Sequence, residues 1–189
     1  MEHTTSATTT TATDDVICCP KFDINSFNND GSGNLYKVIT WSDKPFVKDG
    51  TMCFFYVPLA FGRAVIRTMK RISDAGAEEP SKSDVMILSD CTLPWYTNIF
   101  VSTAKEVIPG AQVEKISGTF LAKAYEGDYS NMGNWVKETK EIVRTSSLGK
   151  DMVSADLENM KIYFHYATCP KCAKKFGKNY VVVMAKLLS

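Results

Sequence analysis

The 189-residue chain predicts an α+β fold: two strand-helix-strand-strand units forming a curved antiparallel sheet with helices on one face. Three observations lead there. Apolar and aromatic runs of strand length alternate with two longer segments whose apolar residues recur at helical spacing. The order strand, helix, strand, strand occurs twice. Two such units side by side bury one sheet face under helices and leave a groove on the other.

The elements follow in order. Residues 1–13 are rich in Thr and Ser and can bury almost nothing, which predicts a disordered tail. Residues 14–189 then form one domain, with a first unit at about 50–104 and a second at about 111–189. Asp14 to Asp49 reads as irregular, with a loop at Asn28-Asn29-Asp30-Gly31-Ser32-Gly33 and a short edge strand at Val38 to Trp41. Met52 to Val57 is a strand by its aromatic and β-branched content, and Pro58 suits the first turn of a helix. Phe61, Val65, Met69 and Ile72 form the apolar stripe of that helix, which Gly76 stops. Val85 to Leu88 and Thr97 to Ser102 are the next two strands.

The second unit opens with an extended stretch from Gln112 to Glu126, in which Gly118 marks a bulge. Ser130 and Asn131 cap a helix whose face carries Met132, Trp135, Val136, Ile142 and Val143. A polar linker runs through Gly149-Lys150-Asp151. Two strands, Lys161 to Ala167 and Tyr180 to Leu187, follow, with the turn Cys169-Pro170-Lys171-Cys172 between them.

Composition narrows the function. The formal net charge is +1, so nothing in bulk electrostatics favours nucleic acid or an acidic membrane surface. The longest apolar run, Tyr180 to Ala185, is far shorter than the roughly 20 residues a bilayer requires. No signal-peptide core is present, and the tail lacks the arginines of a mitochondrial presequence. A cytoplasmic protein with mostly reduced thiols is expected, its partner a small molecule rather than nucleic acid or membrane. Oligomeric state leaves no mark in the sequence.

Six cysteines carry the most specific signal. The CPKC turn between two strands resembles a zinc knuckle, and a closed zinc site takes four protein ligands. Cys169 and Cys172 supply two; Cys18 and Cys19 are the candidate completion. A redox pair and plain thiols are the alternatives. The redox reading asks for a helix opening at the motif, and Gly177 and Asn179 predict a tight re-entry into the last strand instead. Cys53 reads as a small buried hydrophobe, and Cys91 as a loop thiol without a role.

Tyr56, Trp95, Tyr96, Tyr125, Trp135, Phe164 and Tyr166 are the candidate walls of a ligand groove. Such rings bind flat or cationic organic molecules, each cation–π contact contributing roughly 0.5–2 kcal/mol. Packing is the competing role, above all for Trp135 on its helix face. Glu126, at the end of a strand and just before Gly127, is the candidate catalytic acid or base, with capping or simple solvation as the alternative. Asp90 and Asp128 are weaker candidates. His165 is expected at a surface strand position, with metal ligation or proton transfer as other uses. No Ser-His-Asp arrangement, phosphate-cradling glycine loop or HExxH helix is present.

The stretch Val113-Glu114-Lys115-Ile116-Ser117-Gly118-Thr119-Phe120-Leu121-Ala122-Lys123-Ala124-Tyr125-Glu126-Gly127-Asp128-Tyr129, followed by a Trp-bearing helix, resembles the GyrI-like small-molecule-binding family. Asp128 stands where that family usually has proline. The resemblance implies a repeated strand-helix-strand-strand unit with the ligand in the cleft between repeats. A wider resemblance rests on Cys18 to Asp23, Trp41 to Asp49, Ser117 to Lys123 and Thr168 to Lys175. These segments are similar to poorly characterised bacterial proteins loosely labelled hydrolases. Some GyrI-like proteins hydrolyse strained, cyclopropane-bearing molecules, which implies a hydrolase of a reactive small molecule. The alternative is a zinc-stabilised or thiol-redox interaction protein without catalysis in the groove.

Overall fold

The computed structural model describes residue 19 and residues 21–28, 35–54, 57–90, 93–150 and 152–187. Short helix α1 (Asn25–Asn28) precedes β1 (Lys37–Phe54), β2 (Val57–Pro58), α2 (Phe61–Asp74), β3 (Ile87–Ser89) and β4 (Tyr96–Ser102). The second half runs through β5 (Gln112–Glu126), α3 (Met132–Thr145), α4 (Ser154–Glu158), β6 (Ile162–Tyr166), α5 (Pro170–Phe176) and β7 (Tyr180–Lys186). No helix among the described residues is long and apolar enough to cross a membrane.

All strand pairings are antiparallel, and the order β1-β4-β3-β6-β7-β5 returns to β1. The sheet therefore closes into a six-stranded barrel, with β2 hooked onto the end of β1. The expected open, curved sheet is corrected here. Exposed strand edges invite pairing, and here the two halves satisfy each other's edges. β1 pairs β5 from Lys37 to Lys48 along one seam, and Leu88 and Ser89 pair with His165 and Phe164 along the other.

The halves share one pairing order, β1-β4-β3 and β5-β7-β6. The registers match as well. Phe46 faces Ser102 as Phe120 faces Lys186, and Met52 faces Tyr96 as Glu126 faces Tyr180. β1 is a single strand through Ser42 to Pro45, where alternation in the sequence breaks down. The register slips between Trp41 and Lys44, and Asp43 adopts φ 49° there. The Ser117 hydroxyl accepts the Asp43 N–H and donates to its carboxylate, which holds the bulge in place. Gly118, at φ 133°, lies opposite Trp41 as the sequence predicts for a bulge.

The interior is filled. Phe46, Leu88, Phe100, Phe120, Tyr163 and Met184 belong to one buried cluster, and Tyr163 meets Phe100 and Phe120 at ring-centroid distances of 5.8 and 6.1 Å. Burying each large side chain contributes roughly 1.5–3 kcal/mol, so this cluster carries much of the fold. The space between the two halves, expected to be a groove, is packed with aromatic and aliphatic side chains.

α2 and α3 pack outside the barrel. α2 buries Ala64, Val65, Thr68 and Ile72 against Val47, Ile99 and Val101. Its inward stripe is turned from the expected one: Thr68 replaces Met69, because its hydroxyl can bond the Ala64 carbonyl and the Asp49 carboxylate at 2.9 and 3.3 Å. Pro58 belongs to β2 rather than to the helix, which starts three residues later. α3 buries Trp135, Thr139 and Val143.

Candidate functional site: a thiol cluster beside an end pocket

Three sulfurs converge at one end of the barrel. The Sγ atoms of Cys19, Cys169 and Cys172 all lie within 4.8 Å of one another. Cys169 caps α5, its sulfur accepting the Cys172 N–H at 3.5 Å, and the Cys169 N–H donates to the Cys19 sulfur at 3.3 Å. Backbone donors aimed at sulfur are the outer shell expected around thiolate ligands. Cys18 lies outside the described residues, as does Cys91.

The expected plain turn at CPKC is corrected. Pro170 occupies the first turn of a helix, where its missing N–H has no intrahelical partner to lose, and Gly177 ends the helix at φ 68°. The redox reading thereby regains the helix it needs. His165 is not part of the cluster. It is buried in β6 with Nδ1 3.3 Å from the Ile87 carbonyl, and burial pushes its pKa down to about 4. The expected surface position is corrected with it.

Beside the sulfurs, two turns from distant parts of the chain are bonded together. The Gly127 N–H donates to the Asn179 carbonyl at 3.1 Å, and the Asn179 amide donates back to the Gly127 carbonyl at 3.0 Å. The Tyr129 hydroxyl donates to Asn179 Oδ1 at 3.1 Å, and Lys178 pairs with Glu126 at 3.0 Å. Gly127, at φ 140°, permits the sharp exit from β5. Between the turns lies an open pocket of about 430 Å³, whose walls include Glu126, Tyr129, Pro170, Ala173 and Lys178. Partial burial raises the Tyr129 pKa, and its bond to Asn179 opposes that shift in part.

The other carboxylate candidates have structural partners. Asp128 accepts the Ser130 N–H at 2.8 Å, and that backbone bond holds its carboxyl below the usual range. Asp90 is 2% exposed and bonds the Asn98 backbone and side chain and the Lys161 ammonium, the last at 2.9 Å. Asp90→Ala is expected to lower the unfolding free energy by about 2 kcal/mol, because Lys161 and Asn98 lose a charged acceptor. Urea unfolding measures it directly.

The aromatic candidates do not form one wall. Tyr125 stacks on Trp135 at 5.3 Å and bonds Thr139, and both rings pack with Phe164 beneath α3. Burial pushes the Tyr125 pKa well up. Tyr166 sits at the edge of that cluster, 4.7 Å from Phe61 and 5.8 Å from Tyr129 between ring centroids. Trp95 and Tyr96 are exposed where β4 meets the C-terminal part of β1. Tyr56 lies outside the described residues. Sequence reasoning missed Tyr129, Lys178 and Asn179; the signal available was the glycine-bounded turns at Gly127 and Gly177.

No functionally curated protein matches the sequence. Among solved structures, that of SAV2435 bound to tetraphenylphosphonium aligns with a TM-score of 0.45 and 9% identity, over 82% of this chain and 94% of that one. The family model described as bacterial hydrolase matches residues 9–187, nearly the entire sequence, and the chain belongs to that family.

Proposed function

We propose that this protein binds a small organic molecule at the β5–β7 end of the barrel and hydrolyses it with Glu126 as general acid or base. One observation carries this reading: the end pocket of about 430 Å³ sets Glu126 beside Tyr129 and Lys178. That volume falls within the usual range for small-ligand sites, roughly 300–1,000 Å³. The GyrI-like resemblance points instead to the space between the halves, which aromatic side chains occupy. The family description, bacterial hydrolase, supports turnover without naming a substrate.

Glu126 is the residue to test, because it reaches the pocket from the strand end and its Lys178 partner is exposed. An exposed pair of this kind contributes little to stability, so Glu126→Gln should unfold within about 1 kcal/mol of the parent protein. The same variant should lose hydrolysis by 100-fold or more, on the order of a general acid-base contribution. A thermal-shift screen of flat and cationic organic molecules, followed by product analysis with activated aryl esters, provides both readouts. Retained turnover in Glu126→Gln would sink the catalytic role. A screen without a single stabilising compound would sink the pocket.

A second reading is favoured by the sulfur cluster. Zinc bound by Cys19, Cys169 and Cys172, with Cys18 as the fourth ligand, stabilises this end of the barrel. Tetrahedral zinc with Zn–S bonds near 2.3 Å requires sulfurs about 3.8 Å apart. The three sulfurs, within 4.8 Å of one another, need only a small contraction.

A further inference from the structure

The three sulfurs come from two separate parts of the chain. Cys169 caps α5 and Cys172 lies in its first turn, whereas Cys19 belongs to the segment formed with residues 21–28, here called the arm. The arm lies against the barrel at several points. The Phe22 ring centroid is 5.2 Å from those of both Phe27 and Tyr180. Phe22, Ile24 and Phe27 pack against the interior cluster that includes Ala124, Val182 and Met184.

Asn28 adds a polar anchor. Its amide donates to the Ala124 carbonyl and its side-chain oxygen accepts the Ala124 N–H, both at 3.0 Å. Pairing between β1 and β5 stops at Lys37 and Ala122, so Asn28 satisfies the next free stretch of the β5 edge. Asp23 pre-shapes the arm by accepting the Asn25 N–H at 3.0 Å. The arm therefore covers an apolar end of the barrel interior with a few side chains and a four-residue helix. Segments with so few buried contacts open at the low end of the local-stability range.

We infer that a thiophilic divalent cation at Cys19, Cys169 and Cys172 is the latch that keeps this arm closed over the barrel end. The inference rests on the zinc reading and adds a regulatory consequence to it. Two of the ligands are already held together at the N-terminus of α5, and the third arrives only when the arm is docked. The barrel stays folded when the arm opens, so the clip closes only the stretch from Cys19 to the start of β1 at Lys37, and removes the freedom of that stretch in the open state. Linkage then requires reciprocity: whatever factor the cation adds to arm docking, arm docking adds to cation affinity. Metal supply would set the exposure of the apolar surface beneath Phe22, Ile24 and Phe27.

The test uses the full chain, Zn²⁺ and EDTA. Zn²⁺ binding is measured by competition with a chromophoric chelator, and hydrogen exchange is followed by mass spectrometry across residues 19–28. With Zn²⁺ bound, the arm amides and the Ala124 N–H that Asn28 covers are expected to exchange about tenfold more slowly than in EDTA, while β4 stays unchanged. Phe22→Ala, which loosens the arm without touching a sulfur, is expected to weaken Zn²⁺ binding by a similar factor. Cys19→Ser is expected to make arm exchange insensitive to Zn²⁺. Binding of Zn²⁺ with no change in arm exchange would overturn the latch and leave the zinc reading standing. Failure to bind Zn²⁺ at all would remove both.

Discussion

Phe120→Ala is expected to lower the unfolding free energy by about 3–5 kcal/mol, the largest loss of any single truncation considered for this protein. Phe120 is fully buried at the centre of the barrel. Its ring lies 4.9 Å from that of Trp41 and 6.1 Å from that of Tyr163, and so bridges β1, β5 and β6. The loss combines two effects. The ring's transfer from water is forfeited, and the surrounding strands, fixed by hydrogen bonds on both edges, can collapse only partly into the void. Urea unfolding measures it, with an unchanged m-value as the sign that the barrel still closes. Val107→Ala provides the contrast. That residue is 80% exposed, and trimming it should change stability by no more than about 0.5 kcal/mol. Equal losses at the two sites would mean that the interior is not the centre of stability.

The second large effect is on pH dependence. His165 is buried, and burial pushes its pKa from 6.5 to about 4, while its bond to the Ile87 carbonyl opposes the shift only in part. The unfolded chain therefore binds more protons than the folded chain between about pH 6.5 and pH 4. The His165 contribution must fall as pH is lowered through that window and level off below it. The slope approaches 1.4 kcal/mol per pH unit, for a total of roughly 3 kcal/mol. Carboxylates act in a different window. Asp49 is held below its usual range chiefly by its bond with Arg67, so its contribution is lost only as pH falls below about 4. Urea midpoints at pH 7, 5.5 and 4.5 separate the two. In His165→Gln the slope between pH 6.5 and 4.5 should disappear, whatever the variant's absolute stability. A slope that persists would assign the acid sensitivity to another group.

Local elements were legible where hydrophobic alternation ran unbroken. β5 occupies Gln112–Glu126 as the sequence predicts, and β4 and β7 fall within a residue of expectation. β1 was half hidden, because Ser42, Asp43 and Pro45 interrupt its alternation and only a bulge accommodates them. α5 was missed since Lys171 to Phe176 lacks an apolar stripe, although Pro170 and Gly177 marked both ends. The order of elements gave the repeat. Closure did not show, because the β3–β6 seam rests on two residue pairs that no periodicity reveals. At the site, Glu126 could be placed at a strand end from the sequence alone. Its neighbours Lys178 and Pro170 could not, because they arrive from a segment about fifty residues away through pairing of β5 with β7.

The two seams also dictate the order in which a nascent chain becomes safe. Lys37 waits for Ala122, and Leu88 waits for His165. During synthesis the first half can assemble only the layer β1-β4-β3, whose outer strands remain open to any neighbouring chain. That interval, which ends when the last strands leave the ribosome, is when this protein is most adhesive.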